Sequence, residues 1–564
     1  MEQFFTSIQA AQLGFLILII VPLVVCWYLS KPYAAICLGI VTATVSFSCL
    51  MLPAELDSIH MQSWFLSLVK LISDVDPLLT ESSQNIASWL SFGLGAGLSW
   101  ILLIIWASVM RDSRSVVRGT DLLVEDKMWR QLRRYGKPRV PACMGQFYVP
   151  YSLETRSLAL FGEPGSGKTQ LILRLLVSLR RRNDRVVTMD VGGDLYRKLV
   201  TKGDRLLSAT AEGGQEWSPF AEIKNTNDCN TIANALIPSG LGESHIWNGY
   251  ARELLTVFLR VCWEQNRRTN QQLLHYVRVA TNEELRVLVS GSSVQRLFEQ
   301  GSEKMLSNVQ SILSQHLSPL DLLEPSAGEH SFSLREWVGS RSDKGWLWIS
   351  YDDLTAAATA PLRAAWVEIL TRSVLNLEPN EERRIWLSLD ELASNGKIDV
   401  LSQAIARGRK YGLSLILGVQ NISQLYSIYG RDKATSIIGS VGHMVVLRTP
   451  DADTSDYLSR TIGESETVRE QVSVSSQGGS TTQKVREIKR AVLPSEISKL
   501  PDLSGYIKIA GVGWSKLNVP LVKLKHRLSI KTKEEPSPDI LNHGGHPSTE
   551  DSGNSAIHSS LDDI

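Results

Sequence analysis

Neither sign of charge dominates this 564-residue chain: 59 lysines and arginines face 58 aspartates and glutamates, for a net charge of +1. A global polycation is thereby excluded, and any contact with nucleic acid must rest on local patches. Cysteine is scarce, with six in all. Cys26, Cys37, Cys49, Cys143, Cys229 and Cys262 form no C-x-x-C pair, so neither a zinc site nor a disulfide framework is indicated. They read as small buried apolar side chains. The length exceeds one domain and fits about three or four.

Charge is also missing locally. Residues 13–29, 33–53 and 88–110 are long apolar stretches that contain no Asp, Glu, Lys or Arg. Runs of about 17–25 such residues can cross a bilayer as helices. Trp27, Tyr28, Trp89 and Trp106 lie near their ends, where interfacial aromatics belong. A cleaved signal peptide is the other reading of the first run, but no lysine or arginine precedes it and further apolar runs follow. Arg111, Arg114 and Arg118 follow the last run and place the remaining chain in the cytoplasm. The loop between the second and third runs holds Glu55, Asp57, Asp74, Asp76 and Glu81 against Lys70 and reads as periplasmic. Residues 1–110 are thus expected to be a transmembrane anchor of three spans; two spans with a re-entrant first pair is the alternative. Residues 111–145 read as a basic juxtamembrane linker, suited to anionic lipid or to DNA phosphates.

What is present begins with residues 157–161, S-L-A-L-F, a short apolar strand. Gly162-Glu163-Pro164-Gly165-Ser166-Gly167-Lys168-Thr169 follows and matches G-x-x-x-x-G-K-[ST]. Helical apolar spacing then runs through residues 170–180. Glycines let the loop curl its N–H groups toward phosphates, and the helix N-terminus adds a favourable dipole. Lys168 would neutralise phosphate charge and the Thr169 hydroxyl would ligate Mg2+. The motif predicts ATP and Mg2+ as ligands.

A second carboxylate element is needed. Arg384–Asp390 reads as an apolar strand ending in Asp390-Glu391. Asp390 would hold Mg2+ and Glu391 would polarise the attacking water. Arg185–Asp190, Lys344–Tyr351 and Leu413–Val419 read as further strands, the last ending in Gln420. Gln420 suits a γ-phosphate or water sensor; an exposed loop glutamine is the other reading. Ala406–Tyr411, A-R-G-R-K-Y, complements a helix dipole or offers an arginine to a neighbouring subunit. Strands alternating with helices imply an α/β fold with a parallel sheet and ligands at the strand C-termini.

Taken with W-S-P-F at Trp217–Phe220, G-W-L-W-I-S at Gly345–Ser350, L-D-E-L-A-S at Leu389–Ser394, G-R-K-Y-G-L at Gly408–Leu413, G-V-Q-N-I-S-Q-L at Gly418–Leu425 and L-P-D-L at Leu500–Leu503, the chain resembles the type IV coupling proteins of conjugation. These are the TraD/TrwB-like group of the FtsK/HerA branch of RecA-like motor ATPases. The resemblance implies a RecA-like P-loop NTPase domain over residues 146–227 and 325–526, with an inserted all-α domain at 228–324. It implies a homo-hexameric ring on the inner membrane and DNA-stimulated ATP hydrolysis that moves DNA, as the transfer strand or as duplex. Relaxase, a relaxosome accessory protein and the type IV secretion channel are the implied partners. It puts Arg409 at the arginine-finger position, with Arg407 adjacent, and Gln420 at the strand-end glutamine. The family's usual two spans differ from the three read here.

Residues 527–564 are rich in Ser, Pro, Gly, Asn and Asp and read as a disordered tail. The same motor could serve a double-stranded DNA pump for chromosome segregation. No basic helical domain follows Lys525, which weighs against that alternative. A receptor without enzymatic activity would not require both nucleotide motifs.

Overall fold

The computed structural model describes residues 116–136, 140–474 and 480–525. The apolar runs at 13–29, 33–53 and 88–110 and the tail at 527–564 lie outside them. Among the described residues, no helix is long and apolar enough to cross a membrane. The chain divides into two compact units. The one that carries the loop at 162–169 spans 116–466 and continues from 487.

Among the described residues, fifteen strands follow in chain order: β1 Val116–Gly119, β2 Leu122–Leu123, β3 Ala142–Met144, β4 Phe147–Val149, β5 Leu158–Phe161, β6 Arg185–Val191, β7 Arg205–Leu207, β8 Leu347–Tyr351, β9 Ile385–Leu389, β10 Leu413–Val419, β11 His443–Val446, β12 Glu464–Val474, β13 Ser480–Arg490, β14 Ser504–Ile509 and β15 Gly513–Asn518. Ten form one sheet in the order β2-β15-β14-β11-β5-β10-β9-β6-β8-β7. From β11 to β7 all neighbours are parallel, while β14 runs antiparallel to both β11 and β15.

The central strands are apolar without interruption because both faces are covered. Every residue of β5, β8, β9 and β10 is buried. Side-chain alternation splits them between two cores. Leu158, Leu160, Trp386 and Ile416 pack with the helix Lys168–Arg182 on one face. Ala159, Phe161, Leu387 and Leu417 pack on the other with the helix Ala356–Leu375.

The span expected to be all-α holds the helices Thr226–Leu236, Ser244–Glu264, Asn270–Arg278, Asn282–Leu288 and Glu303–Leu317, and no strand lies between β7 and β8. Their apolar side chains join the second core without a break, so the helical segment shares its interior with the sheet. Part of the stretch expected to be a linker is built into the same body. β2 pairs with β15, and Met128 and Leu132 of the helix Glu125–Arg133 are fully buried.

β8 starts at Leu347, three residues after the expected Lys344. The Trp346 N–H donates to the Asp204 carboxylate at 2.9 Å, so a side chain takes the bond a ladder would use. The short strands β7 and β11 and the C-terminal pair β14–β15 complete the sheet beyond what periodicity indicated.

Candidate nucleotide site

The strand order puts β10 between β5 and β9, so the loop after β5 and the carboxylates after β9 flank the end of β10. All three strands point the same way, and their C-terminal ends form one edge. Ligands of parallel α/β sheets bind at that edge.

Residues Gly162–Thr169 are anchored there by backbone bonds. Gly162 donates to the Val419 carbonyl at 3.1 Å and Glu163 to that of Arg448 at 3.0 Å. The Ser166 hydroxyl donates to the Glu163 carbonyl at 2.7 Å and closes the turn. Gly165 and Gly167 have φ of 82° and 110°, where a side chain would be strained. Gly167 caps the helix Lys168–Arg182, whose first turn carries no acid to compete with an anion. Pro164, Gly165 and Thr169 are exposed, whereas Ser166 and Lys168 are buried.

Lys168 and Asp390-Glu391 meet across β10. The Lys168 ammonium lies 3.1 Å from Glu391 Oε2, and the Thr169 hydroxyl donates to Asp390 Oδ2 at 3.4 Å. Burial raises the pKa of both carboxyls, against the lowering pull of Lys168. Among the described residues, Asp390 Oδ1 and Glu391 Oε1 are buried without a hydrogen-bond partner. Two orphaned carboxylate oxygens beside a threonine hydroxyl are the hard oxygen donors that Mg2+ selects, so the residues present fit that ion.

Gln420 stands half-buried at the tip of β10, one residue beyond the Val419–Phe161 register pair. Its place is between the loop and the carboxylates. Arg409 is not brought to this set. It is exposed in the turn Gly408–Tyr411, which enters β10 from its N-terminal end. The seven residues of β10 separate it from the site edge, roughly 20 Å of strand. That is beyond the reach of one side chain within the same chain. Arg407 is exposed on the same side.

The structure adds residues the motifs did not indicate. Arg448 pairs with Glu163 of the loop and, at 2.6 Å, with Asp502. Next to Asp502, Leu503 donates its N–H to the Ser166 carbonyl at 2.9 Å. The phosphate-type loop is thus braced from the C-terminal part of the chain. Asp190, buried at the end of β6 beside β9, accepts from the Tyr196 N–H at 2.7 Å. Desolvation is the main cause lifting its carboxyl to about 7. The L-P-D-L run held part of this signal; Arg448 carries none that a sequence window could show.

A family profile described as "Type IV secretion-system coupling protein DNA-binding domain" matches residues 141–522. Coupling protein TraD of Escherichia coli (strain K12) is 27% identical over 476 residues, covering 80% of this chain and 65% of TraD. The chain therefore aligns with less than two thirds of that relative's length. The bacterial conjugative coupling protein TrwBdeltaN70, in an unbound form, superposes with a TM-score of 0.68 at 30% identity, covering 73% of this chain and 96% of that one. Plasmid coupling protein TrwB in complex with ADP and Mg2+ gives 0.66 at 30% identity, with 73% and 95% covered. This chain belongs to the type IV secretion-system coupling proteins.

Proposed function

We propose that this protein is the membrane-anchored ATPase that couples a relaxase–DNA complex to a type IV secretion channel and drives DNA transfer in conjugation. The observation that carries the reading is the meeting of Lys168 and Thr169 with Glu391 and Asp390 at the C-terminal edge of the sheet. Family membership supplies the biological setting.

ATP would lie on the loop Gly162–Thr169, with Lys168 against its phosphates. The solved relative in complex with ADP and Mg2+ supports the ligand pair. Thr169 and Asp390 would hold Mg2+, which when bound supplies charge neutralisation at the phosphates. Glu391 orients the attacking water and receives its proton; its burial, which raises its pKa, suits it to that exchange. Gln420, at the strand tip between the two motifs, would read the water or terminal phosphate. Arg409, remote from its own site, would complete that of a neighbour in a homo-hexameric ring. The helical segment 228–324 would face the DNA, and the apolar runs within 1–110 would fix the protein in the bacterial inner membrane. The tail at 527–564 would meet a relaxosome accessory protein.

Purified full-length protein should hydrolyse ATP faster with DNA than without. Lys168→Ala should lower the rate by roughly 10²-fold or more and abolish plasmid transfer. DNA-independent hydrolysis, or transfer that survives Lys168→Ala, would overturn the proposal.

A further inference from the structure

Arg363 is a guanidinium in the wrong surroundings for a structural ion pair. It sits in the helix Ala356–Leu375 and is 1% exposed. Among the described residues, no carboxylate forms an ion pair with it. Its donors go instead to neutral oxygens. The Nε bonds Asn395 Oδ1 at 3.1 Å, one terminal nitrogen bonds the Ser394 carbonyl at 2.8 Å, and the other bonds the Ala356 carbonyl at 2.9 Å and the Thr359 hydroxyl. The Tyr351 ring lies 3.6 Å beneath it. Burying an unpaired cation is costly, and this one is used to hold the turn that follows Glu391.

That turn converges on one carbonyl. Asn395 Nδ2 donates to the Glu391 carbonyl at 2.7 Å and the Ser394 hydroxyl donates to it at 3.0 Å. Asn395, itself fully buried, therefore accepts from Arg363 on one side and grips Glu391 on the other. Tyr351 OH is 2.8 Å from the Ser394 hydroxyl and closes a second path from the end of β8. Fixing this carbonyl fixes the peptide plane from which the Glu391 side chain departs. One of its carboxylate oxygens faces Lys168 and the other is buried without a partner.

We propose that Arg363 is the positioning residue for Glu391: through Asn395 and Ser394 it aims the carboxylate at the water that attacks the nucleotide. The proposal rests on the ATPase reading above. Its signature is a fall in kcat with nucleotide binding unchanged, because nothing in the bridge touches the loop Gly162–Thr169.

Two variants test it. Arg363→Met keeps the side chain's bulk and removes its donors. Asn395→Asp leaves an oxygen for the guanidinium and pairs its charge, but turns the amide donor into an acceptor that repels the Glu391 carbonyl. A structural role for Arg363 alone predicts that Asn395→Asp is stable and active. The positioning role predicts a kcat at least about tenfold lower in both variants, with KM for ATP within about twofold and fluorescent-nucleotide affinity preserved. It also predicts that Arg363→Met adds no further loss to a Glu391→Gln background. Thermal melting identifies a variant that fails to fold, and Asn395→Asp then decides. Wild-type kcat in a folded Asn395→Asp protein overturns the proposal. A wild-type protein that hydrolyses no ATP would instead overturn the ATPase reading itself.

Discussion

At opposite edges of the sheet, His443 and Lys168 show two fates for a buried ionisable group. Lys168 is kept beside a carboxylate at 3.1 Å. His443 has no such partner; its Nε2 is 2.8 Å from the Leu153 carbonyl and its Nδ1 accepts from the Ala510 N–H at 3.3 Å. One tautomer satisfies both bonds, and neither leaves room for a second proton. Complete burial accordingly drops its pKa from 6.5 to about 4. The unfolded chain then binds this proton more tightly than the folded one. Stability is unaffected by this group above pH 6.5 and falls as pH drops toward 4, by up to roughly 3 kcal/mol. His443→Gln should flatten that slope. Melting curves between pH 7.5 and 5 should show the wild type losing stability more steeply than the variant, and equal slopes would refute the assignment. The sequence could not show this role, because Leu153 and Ala510 reach His443 only through β5 and β14. Lys168, Thr169, Asp390 and Glu391 were legible, since each is fixed by neighbours within a few residues: a glycine loop before a helix, a carboxylate pair after an apolar strand.

Among elements, the strands that sequence reading found are those buried on both faces. β5, β9 and β10 are continuous apolar runs, and a run of that kind needs no partner to be recognised. β14 and β15 are buried only in part, and β7 holds three residues; β7 joins the sheet through β8 and β15 reaches β2, both far away in the chain. The brace on Ser166 by Leu503 was hidden for the same reason. Close packing between strands yields a direct test. A Cβ at Gly418 of β10 would overlap the carbonyl oxygen of Asp390, and Leu392 donates to the Gly418 carbonyl at 2.9 Å. Gly418→Ala must push the carboxylate turn away from the loop. It should cost on the order of 1–3 kcal/mol in denaturant unfolding and most of the ATPase rate. Gly439→Ala, where an added Cβ meets nothing within 4 Å, should leave both near the wild-type values. A Gly418→Ala protein with full activity would show that the turn tolerates displacement.

At the scale of the whole molecule, the decisive feature is the distance between Arg409 and the site it is proposed to serve. Lys168 and Glu391 lie at the C-terminal edge of the sheet, and Arg409 enters β10 at the other end. An arginine so placed can complete only a site on another copy, and head-to-tail contacts of that kind give a ring where the rotation closes, as the proposed hexamer requires. Two inactive proteins should therefore rescue each other. Lys168→Ala lacks the phosphate-binding ammonium but keeps Arg409; Arg409→Ala keeps the loop but lacks the arginine. In rings assembled from an equal mixture, about a quarter of the interfaces join an intact loop to an intact Arg409. Mixing before assembly should recover ATPase activity well above that of either protein alone, with a maximum near equal proportions. Mixing after assembly should recover little until subunits exchange. If no ratio exceeds the sum of the two separate activities, Arg409 does not act across an interface, and the motor must complete its site from within one chain.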